Sequence, residues 1–369
     1  MKCGRAWAHT ETEILNSSQK LIQLISRNTI EKGALDNPPR VVLLGKLSAR
    51  GESFHSALQS VCTVKWIARK SEFWTNPVLF PIRIVRELLR LLVLCQSVPE
   101  DKRPIVVVRC IGLDAIPAFI VRRVARCKVM LYAVGPDVRV RNHLPRRSFL
   151  IWAVRRADRV LCENSRIEKK VRDLGGTTTR VLYAPFVPFD PGADGKREFD
   201  VVTVGSLDDR AKHSLLVEAA AYLDPSVRIA IVGSGPEREY LTTLSRRDGR
   251  TQVTFLGDLP PERLQRTLRS SGLYVECSRG GSGTSSVLEA VWCGLPVIAL
   301  DGEGGPELTR VYGIRSLVPK DHRSVSLALE IEGALENYPS LLEEVSTNRE
   351  ALESFSRSWP ELAETAIFS

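Results

Sequence analysis

The sequence predicts an α/β chain built as two doubly wound parallel sheets, and three observations carry that prediction. Short β-branched runs alternate with helical stretches along most of the chain. Gly-rich turns join strand to helix at three places in the second half, within 199–220, 229–241 and 271–310. A stretch rich in Pro, Gly and charge, PFVPFDPGADGKRE (185–198), separates two such alternating patterns.

Residues 10–32 read as a helix, with a Thr- and Glu-rich start resembling a capping box and apolar residues near helical spacing, before DNPPR (36–40) breaks it. Strands are expected at VVLLG (41–45), VKWIA (64–68), IVVVR (105–109), KVMLYAV (128–134), RVLCEN (159–164) and RVLYAP (180–185), with helices such as 77–94 and 115–127 between them. The second set runs from FDVVTVG (199–205) to about Val318, and helices close the chain. The predicted domains are a helical extension at 1–38, a first α/β domain at 39–190, a linker at 191–198, a second α/β domain at 199–345 and a terminal helical segment at 346–369.

A chain of 369 residues is long enough to bury two ordinary cores. The most apolar stretch, FPIRIVRELLRLLVLCQ (80–96), is interrupted by Arg83, Arg86, Glu87 and Arg90, so no bilayer crossing is expected, and the start lacks the apolar run of a secretory signal. A cytoplasmic protein is the expectation. The eight cysteines form no CxxC pair, which predicts inert core thiols rather than a disulfide framework or a metal site. Charge is lopsided: residues 1–190 carry 33 Lys and Arg against 16 Asp and Glu, a net +17, whereas the remainder is net −8. Different partners for the two halves follow.

The turn SRGGSGTSS (278–286) lies between a short apolar strand and a helix. That order aims the amides of the turn and first helical residues, around Ser282, Gly283, Thr284 and Ser285, at one point where an anion can be held. Helix capping by Ser and Thr is the plainer alternative. The upstream turns at Gly205 and Ser206 and at Gly233 and Gly235 are expected to line the same crevice.

The blocks VGSL (204–207), KHSLLVEA (212–219), IVGSGPE (231–237), VTFLGDL (253–259), LYVECSR (273–279), VLEAVWCGLPVIAL (287–300) and GGPEL (304–308), in that order, resemble the nucleotide-sugar-binding half of the family 4 glycosyltransferases (glycosyltransferases group 1). YAVGPDV (132–138), ADRVLCEN (157–164) and RVLYAPF (180–186) extend the likeness more weakly into the first half. The resemblance implies the GT-B fold: two Rossmann-like domains facing across a cleft, with a C-terminal helix crossing back to the N-terminal domain. It also implies a donor that is a UDP- or GDP-linked sugar, no required cofactor and no metal site.

Residue by residue, the resemblance implies that Glu289 binds the ribose hydroxyls, accepting two hydrogen bonds, and that Gly304, Gly305 and Glu307 hold the donor sugar. Arg210 and Lys212 neutralise the leaving diphosphate, with Arg279 beside them. Gly45, before the LSARGES loop (47–53), faces the donor phosphates or the acceptor, and Asp137 remains from a His-Gly-x-Asp block in which Val134 replaces the His. The pattern departs at Gly281, where a Glu that touches the transferred sugar is expected, and at Ser206, which replaces an Arg. The SRGG…GTS run also has some likeness to the inverting N-acetylglucosaminyltransferase that makes lipid-linked peptidoglycan precursors, and the departures keep open a non-catalytic binding or scaffolding protein.

Arg83, Arg86 and Arg90, and then Arg122, Arg123, Arg126, Lys128, Arg139, Arg141, Arg146 and Arg147 with Phe149 and Trp152 nearby, mix cations with apolar groups. This suits an anionic membrane face and a lipid-linked or glycan acceptor. Packing of the 80–96 helix in the core is the competing reading. Nucleic acid is not an expected partner, since no zinc, helix-turn-helix or RNA-binding pattern accompanies the basic residues.

Overall fold

The computed structural model describes residues 40–46, 49–69, 80–96, 98–99, 102–109, 115–134, 138, 144–190, 196–209, 211–247, 252–277, 284–300, 305–317, 319, 321 and 323–369. The helix expected at 10–32 lies outside them. The chain divides into two units, Met1–Tyr183 together with Ala363–Ser369, and Ala184–Leu362.

In the first unit the strands are β1 (Val41–Lys46), β2 (Val64–Arg69), β3 (Ile105–Arg109), β4 (Val129–Ala133), β5 (Arg159–Cys162) and β6 (Thr179–Val181). They form one parallel sheet in the order β2-β1-β3-β4-β5-β6. The helices are α1 (Ala49–Gln59), α2 (Phe80–Gln96), α3 (Ala115–Ala125), α4 (Leu144–Arg156) and α5 (Ser165–Asp173). β3 and β4 are buried at every residue, as strands covered on both faces must be. Val42, Leu44, Val106, Val108, Val129 and Leu131 meet Leu91 and Cys95 of α2, Val121 of α3, Ala153 of α4 and Val171 of α5 in one core. The second half of α2 is therefore core, which favours the packing reading of that helix. α5 starts where it does because Asn164, in extended conformation, accepts the Ile167 amide at 2.9 Å on its side-chain oxygen. The chain's last residues belong here: Arg159 donates to the Ala366 carbonyl at 2.6 Å, and the Arg40 guanidinium lies 4.0 Å over the Phe368 ring.

The second unit holds β7 (Phe199–Val204), β8 (Arg228–Val232), β9 (Gln252–Gly257), β10 (Ser271–Glu276) and β11 (Val297–Ala299), parallel and in the order β11-β10-β7-β8-β9. Its helices are α6 (His213–Ala219), α7 (Arg238–Ser245), α8 (Pro261–Arg269), α9 (Thr284–Trp292), α10 (Gly305–Tyr312), α11 (Ser324–Glu336) and α12 (Tyr338–Phe368). The chain winds from β7 outward to β9, then returns to the other side of β7 as β10. That places a topological switch point between β7 and β10, where ligands of open α/β sheets bind.

The boundary falls between Tyr183 and Ala184, ahead of the linker expected at 191–198. Aromatic anchoring explains the difference: Phe186 lies 5.4 Å from Trp292, whose indole N–H donates to the Phe189 carbonyl at 2.6 Å, and Ser356 donates to the Phe186 carbonyl at 2.9 Å. Most of the expected terminal segment also stays with the second unit, since Phe355 meets Tyr312 edge-on at 4.5 Å and Trp359 is buried. Among the described residues no helix is long and apolar enough to cross a membrane. The described cysteines are free, and all but the half-buried Cys62 are buried; desolvation pushes Cys162 and Cys293 up to about 12, as expected of core thiols.

Candidate active site

The candidate site is built at the carboxyl ends of β7, β8 and β10. Val204 ends β7 and the chain turns through Gly205, Ser206 and Leu207; Val232 ends β8 and the chain turns through Gly233, Ser234 and Gly235. The two turns press backbone on backbone. Leu207 donates its amide to the Ser234 carbonyl at 2.9 Å, and the Glu237 amide returns to the Leu207 carbonyl at 2.9 Å. A Cβ on Gly233, which sits at φ +130°, would overlap the Gly205 carbonyl, and one on Gly235 would overlap the carbonyl of Leu207. The Gly205 amide donates to Val232 at 3.0 Å and the Gly233 amide to Gly257 at 2.8 Å, so both are satisfied within the protein. Glycine here answers a close approach between loops.

Ser206 is exposed and donates its hydroxyl to Asp208 at 3.1 Å. Lys212 precedes α6 in the left-handed conformation (φ 53°, ψ 32°), one of two described non-glycine residues with positive φ, and its side chain is exposed. A long side chain held there stores about 1 kcal/mol of backbone strain.

Beneath this turn lies a residue the sequence reading passed over. His213 is 2% exposed, and neither ring nitrogen has a hydrogen-bond partner. Desolvation lowers its pKa to about 4, against a smaller opposing influence of Asp208 and the Gly205 backbone, so the ring is neutral near pH 7. Its Nε2 would lie 3.2 Å from a Cβ on Gly205.

The second wall is β10 and α9. Tyr274 and Glu276 point to the opposite face of β10 from Leu273 and Val275, which join the core. The Tyr274 hydroxyl has two acceptors in reach, Glu276 Oε2 at 3.3 Å and the Val204 carbonyl at 3.4 Å, and it also bonds Ser286 in the first turn of α9. Burial raises the phenol well above its ordinary pKa, with the negative charges of Glu276 and Glu289 adding to the effect. Glu276 is 8% exposed, a buried carboxylate at the switch point that sequence reasoning missed. The only available signal was an acidic residue closing the apolar run LYVEC.

Glu289 is half-buried on α9, close enough to Tyr274 and Cys293 to raise both, so it is not a solvated helix carboxylate. Thr284 opens α9 and Ser285 is half-buried in its first turn. Gly305 opens α10 and Glu307 lies in that helix's first turn rather than in a loop. Gly45 lies within β1 in the first unit. Asp137, Arg210, Arg279, Gly281, Ser282, Gly283 and Gly304 fall outside the described residues. The structure thus brings Gly205, Ser206, Gly233, Gly235 and Lys212 together at one pair of turns, and Glu289 with Tyr274 and Glu276 at the second wall, where Ser286 rather than Ser285 bonds Tyr274.

Comparison with known proteins agrees with this fold. Residues 189–351 match the family described as glycosyl transferases group 1. HepE of Anabaena, in a crystal structure with UDP and glucose, superposes with a TM-score of 0.68 at 15% identity, covering 89% of this chain and 99% of that one. Sucrose-phosphate synthase from Thermosynechococcus elongatus gives 0.66 at 17% identity, covering 88% and 97%. In sequence, D-inositol 3-phosphate glycosyltransferase of Rhodococcus erythropolis is 36% identical over 160 residues, 40% of this chain and 34% of that protein. An uncharacterized glycosyltransferase of Methanocaldococcus jannaschii is 27% identical over 116 residues, 31% of this chain and 29% of that protein. The matched segments span about a third of these curated relatives. The fold is GT-B. The segment that matches the glycosyl transferases group 1 family lies within the second unit, and it contains the β7, β8 and β10 strand ends.

Proposed function

We propose that the protein is a glycosyltransferase that moves a sugar from a UDP- or GDP-linked donor to a lipid-linked or glycan acceptor at the cytosolic face of a membrane. The observation that carries this reading is the group 1 match over residues 189–351, which covers the switch point and both of its polar walls. HepE, of like fold, was crystallised with UDP and glucose, which supports the donor class. Lys212, with Arg210 beside it in sequence, supplies positive charge to the leaving diphosphate, and Glu289 accepts from the ribose hydroxyls. In the retaining version the leaving phosphate takes the acceptor proton on the same face of the sugar, so no acid/base pair of the glycosidase kind and no resident metal are needed.

The test is incubation of the full chain with UDP- and GDP-sugars and lipid or glycan acceptors. The expected result is release of the nucleoside diphosphate with the sugar joined to the acceptor in the donor's anomeric configuration. Inversion of that configuration would move the protein to the inverting lipid-linked class. A second reading, a non-catalytic sugar-nucleotide-binding protein, is favoured by Ser206, whose hydroxyl is bound to Asp208 where the family resemblance places an Arg. Binding of nucleoside diphosphate sugar without any transfer would select it.

A further inference from the structure

In the first unit, α2, α3, α4 and α5 cover one face of the sheet. The outer side of α3 exposes Ile120 (38%) and Val124 (50%), one turn apart, with exposed Arg123 between them. On α4, Trp152 (36% exposed) stands edge-on to Phe119 of α3 at 4.8 Å, which joins the two helices into one surface. Exposed Arg155 and Arg156 follow, the latter 5.4 Å from the Trp152 ring. Neither helix contains an Asp or Glu. Arg122 is set apart from this group, because two bonds to Asp158, at 2.9 and 2.7 Å, neutralise it.

From this surface we infer that the α3–α4 face is where the protein docks on an anionic lipid bilayer. The inference rests on, and gives a location to, the membrane association proposed above. Charge and chemistry choose the occupant. A second copy of the chain would set arginines against arginines. A nucleic acid would find phosphate partners but leave Ile120, Val124 and Trp152 without a role. A bilayer with acidic headgroups meets both needs, since guanidinium groups pair with phosphates while the apolar side chains enter the acyl boundary. The second half of α2 is unavailable for this, because Leu91, Val93 and Cys95 are buried in the core.

The experiment is flotation of the full-length protein with phosphatidylcholine vesicles, with and without phosphatidylglycerol. Binding is expected only with the acidic lipid and is expected to weaken with salt. Each basic residue near such a surface contributes about 1 kcal/mol, so Arg123→Ala with Arg155→Ala should lower affinity about thirtyfold. Arg123→Lys with Arg155→Lys should keep most of it, and Val124→Ser should weaken binding in a salt-independent way. Arg266→Ala, on α8 of the second unit, should bind as the wild type does. Equal binding to neutral and acidic vesicles, wild-type binding by the Arg123 and Arg155 double alanine variant, or equal affinity for duplex DNA would each overturn the inference. Nucleoside diphosphate binding measured without vesicles separates the two readings: if it persists while vesicle binding is absent, this surface assignment alone falls.

Discussion

The two units share a construction and differ in where their polar chemistry lies. Each is a parallel sheet in which the first strand has neighbours reached from opposite directions, β1 between β2 and β3, and β7 between β8 and β10. In the second unit Thr203, His213, Tyr274 and Glu276 are buried at or beside the strand ends. The first unit also buries Arg109 at the end of β3 and Asn164 after β5, but it carries a sequence half of net +17, and Arg123 on α3 and Arg147, Arg155 and Arg156 on α4 are exposed. A doubly wound sheet is specified by its apolar strands, and those leave both the strand ends and the outer helix faces free to vary. The comparison sets the proposed ligand chemistry in one unit and the proposed surface chemistry in the other.

The largest effect expected on that comparison comes from Gly233→Ala. It forces a left-handed φ of +130° on alanine and drives its Cβ into the Gly205 carbonyl. A loss of about 4 kcal/mol is expected, from strain and overpacking together. Gly294→Ala, at φ +86° with no atom within 4 Å of its Cβ, should lose only about 1 kcal/mol. Urea unfolding of both variants checks this, and equal losses would mean that the loop contact at Gly233 does not constrain the site.

The next effect is a pH dependence. His213 titrates near 4 in the folded protein and near 6.5 when unfolded, so the unfolded chain binds the extra proton as pH falls. The neutral buried ring therefore imposes no penalty above about pH 6.5. Stability is lost progressively from there down to about pH 4, by roughly 3 kcal/mol in total. His213→Gln should remove this slope, as measured by the difference in unfolding free energy between variant and wild type from pH 7 to 4.

The smallest effect on stability is expected at Lys212. Lys212→Gly releases the left-handed strain and should stabilise the fold by up to about 1 kcal/mol, while transfer falls by about two orders of magnitude if the ammonium stabilises the leaving diphosphate. A variant both more stable and less active marks a strained functional residue. A variant with unchanged transfer would return Lys212 to the solvated surface.

The strands were legible because β-branched runs such as IVVVR and RVLC have few other uses than a doubly covered sheet. The Gly-rich turns were legible as turns but not in purpose: a glycine that admits a phosphate and one that admits a neighbouring carbonyl leave the same mark in sequence, and Gly233 and Gly235 each lie against a carbonyl of the adjoining turn. Residues 184–190 read as the end of the first domain because the Pro-, Gly- and charge-rich run continues to 198 and puts the linker at 191–198, whereas their place is set by Trp292, more than a hundred positions away in the chain. His213 and Glu276 were illegible for a related reason. His213 follows the charged run Asp208–Lys212 and Glu276 closes an apolar strand, so neither looks buried in sequence, and only the assembled sheet shows that both are buried beside the strand ends.

Thermal unfolding of the full chain with UDP, GDP and their sugars tests the nucleotide-sugar assignment most directly. At a hundred times its dissociation constant, the bound nucleotide should stabilise the protein by about 2.7 kcal/mol, a clear rise in Tm. An unmoved Tm with every nucleoside diphosphate, at concentrations that saturate ordinary glycosyltransferases, would contradict the account.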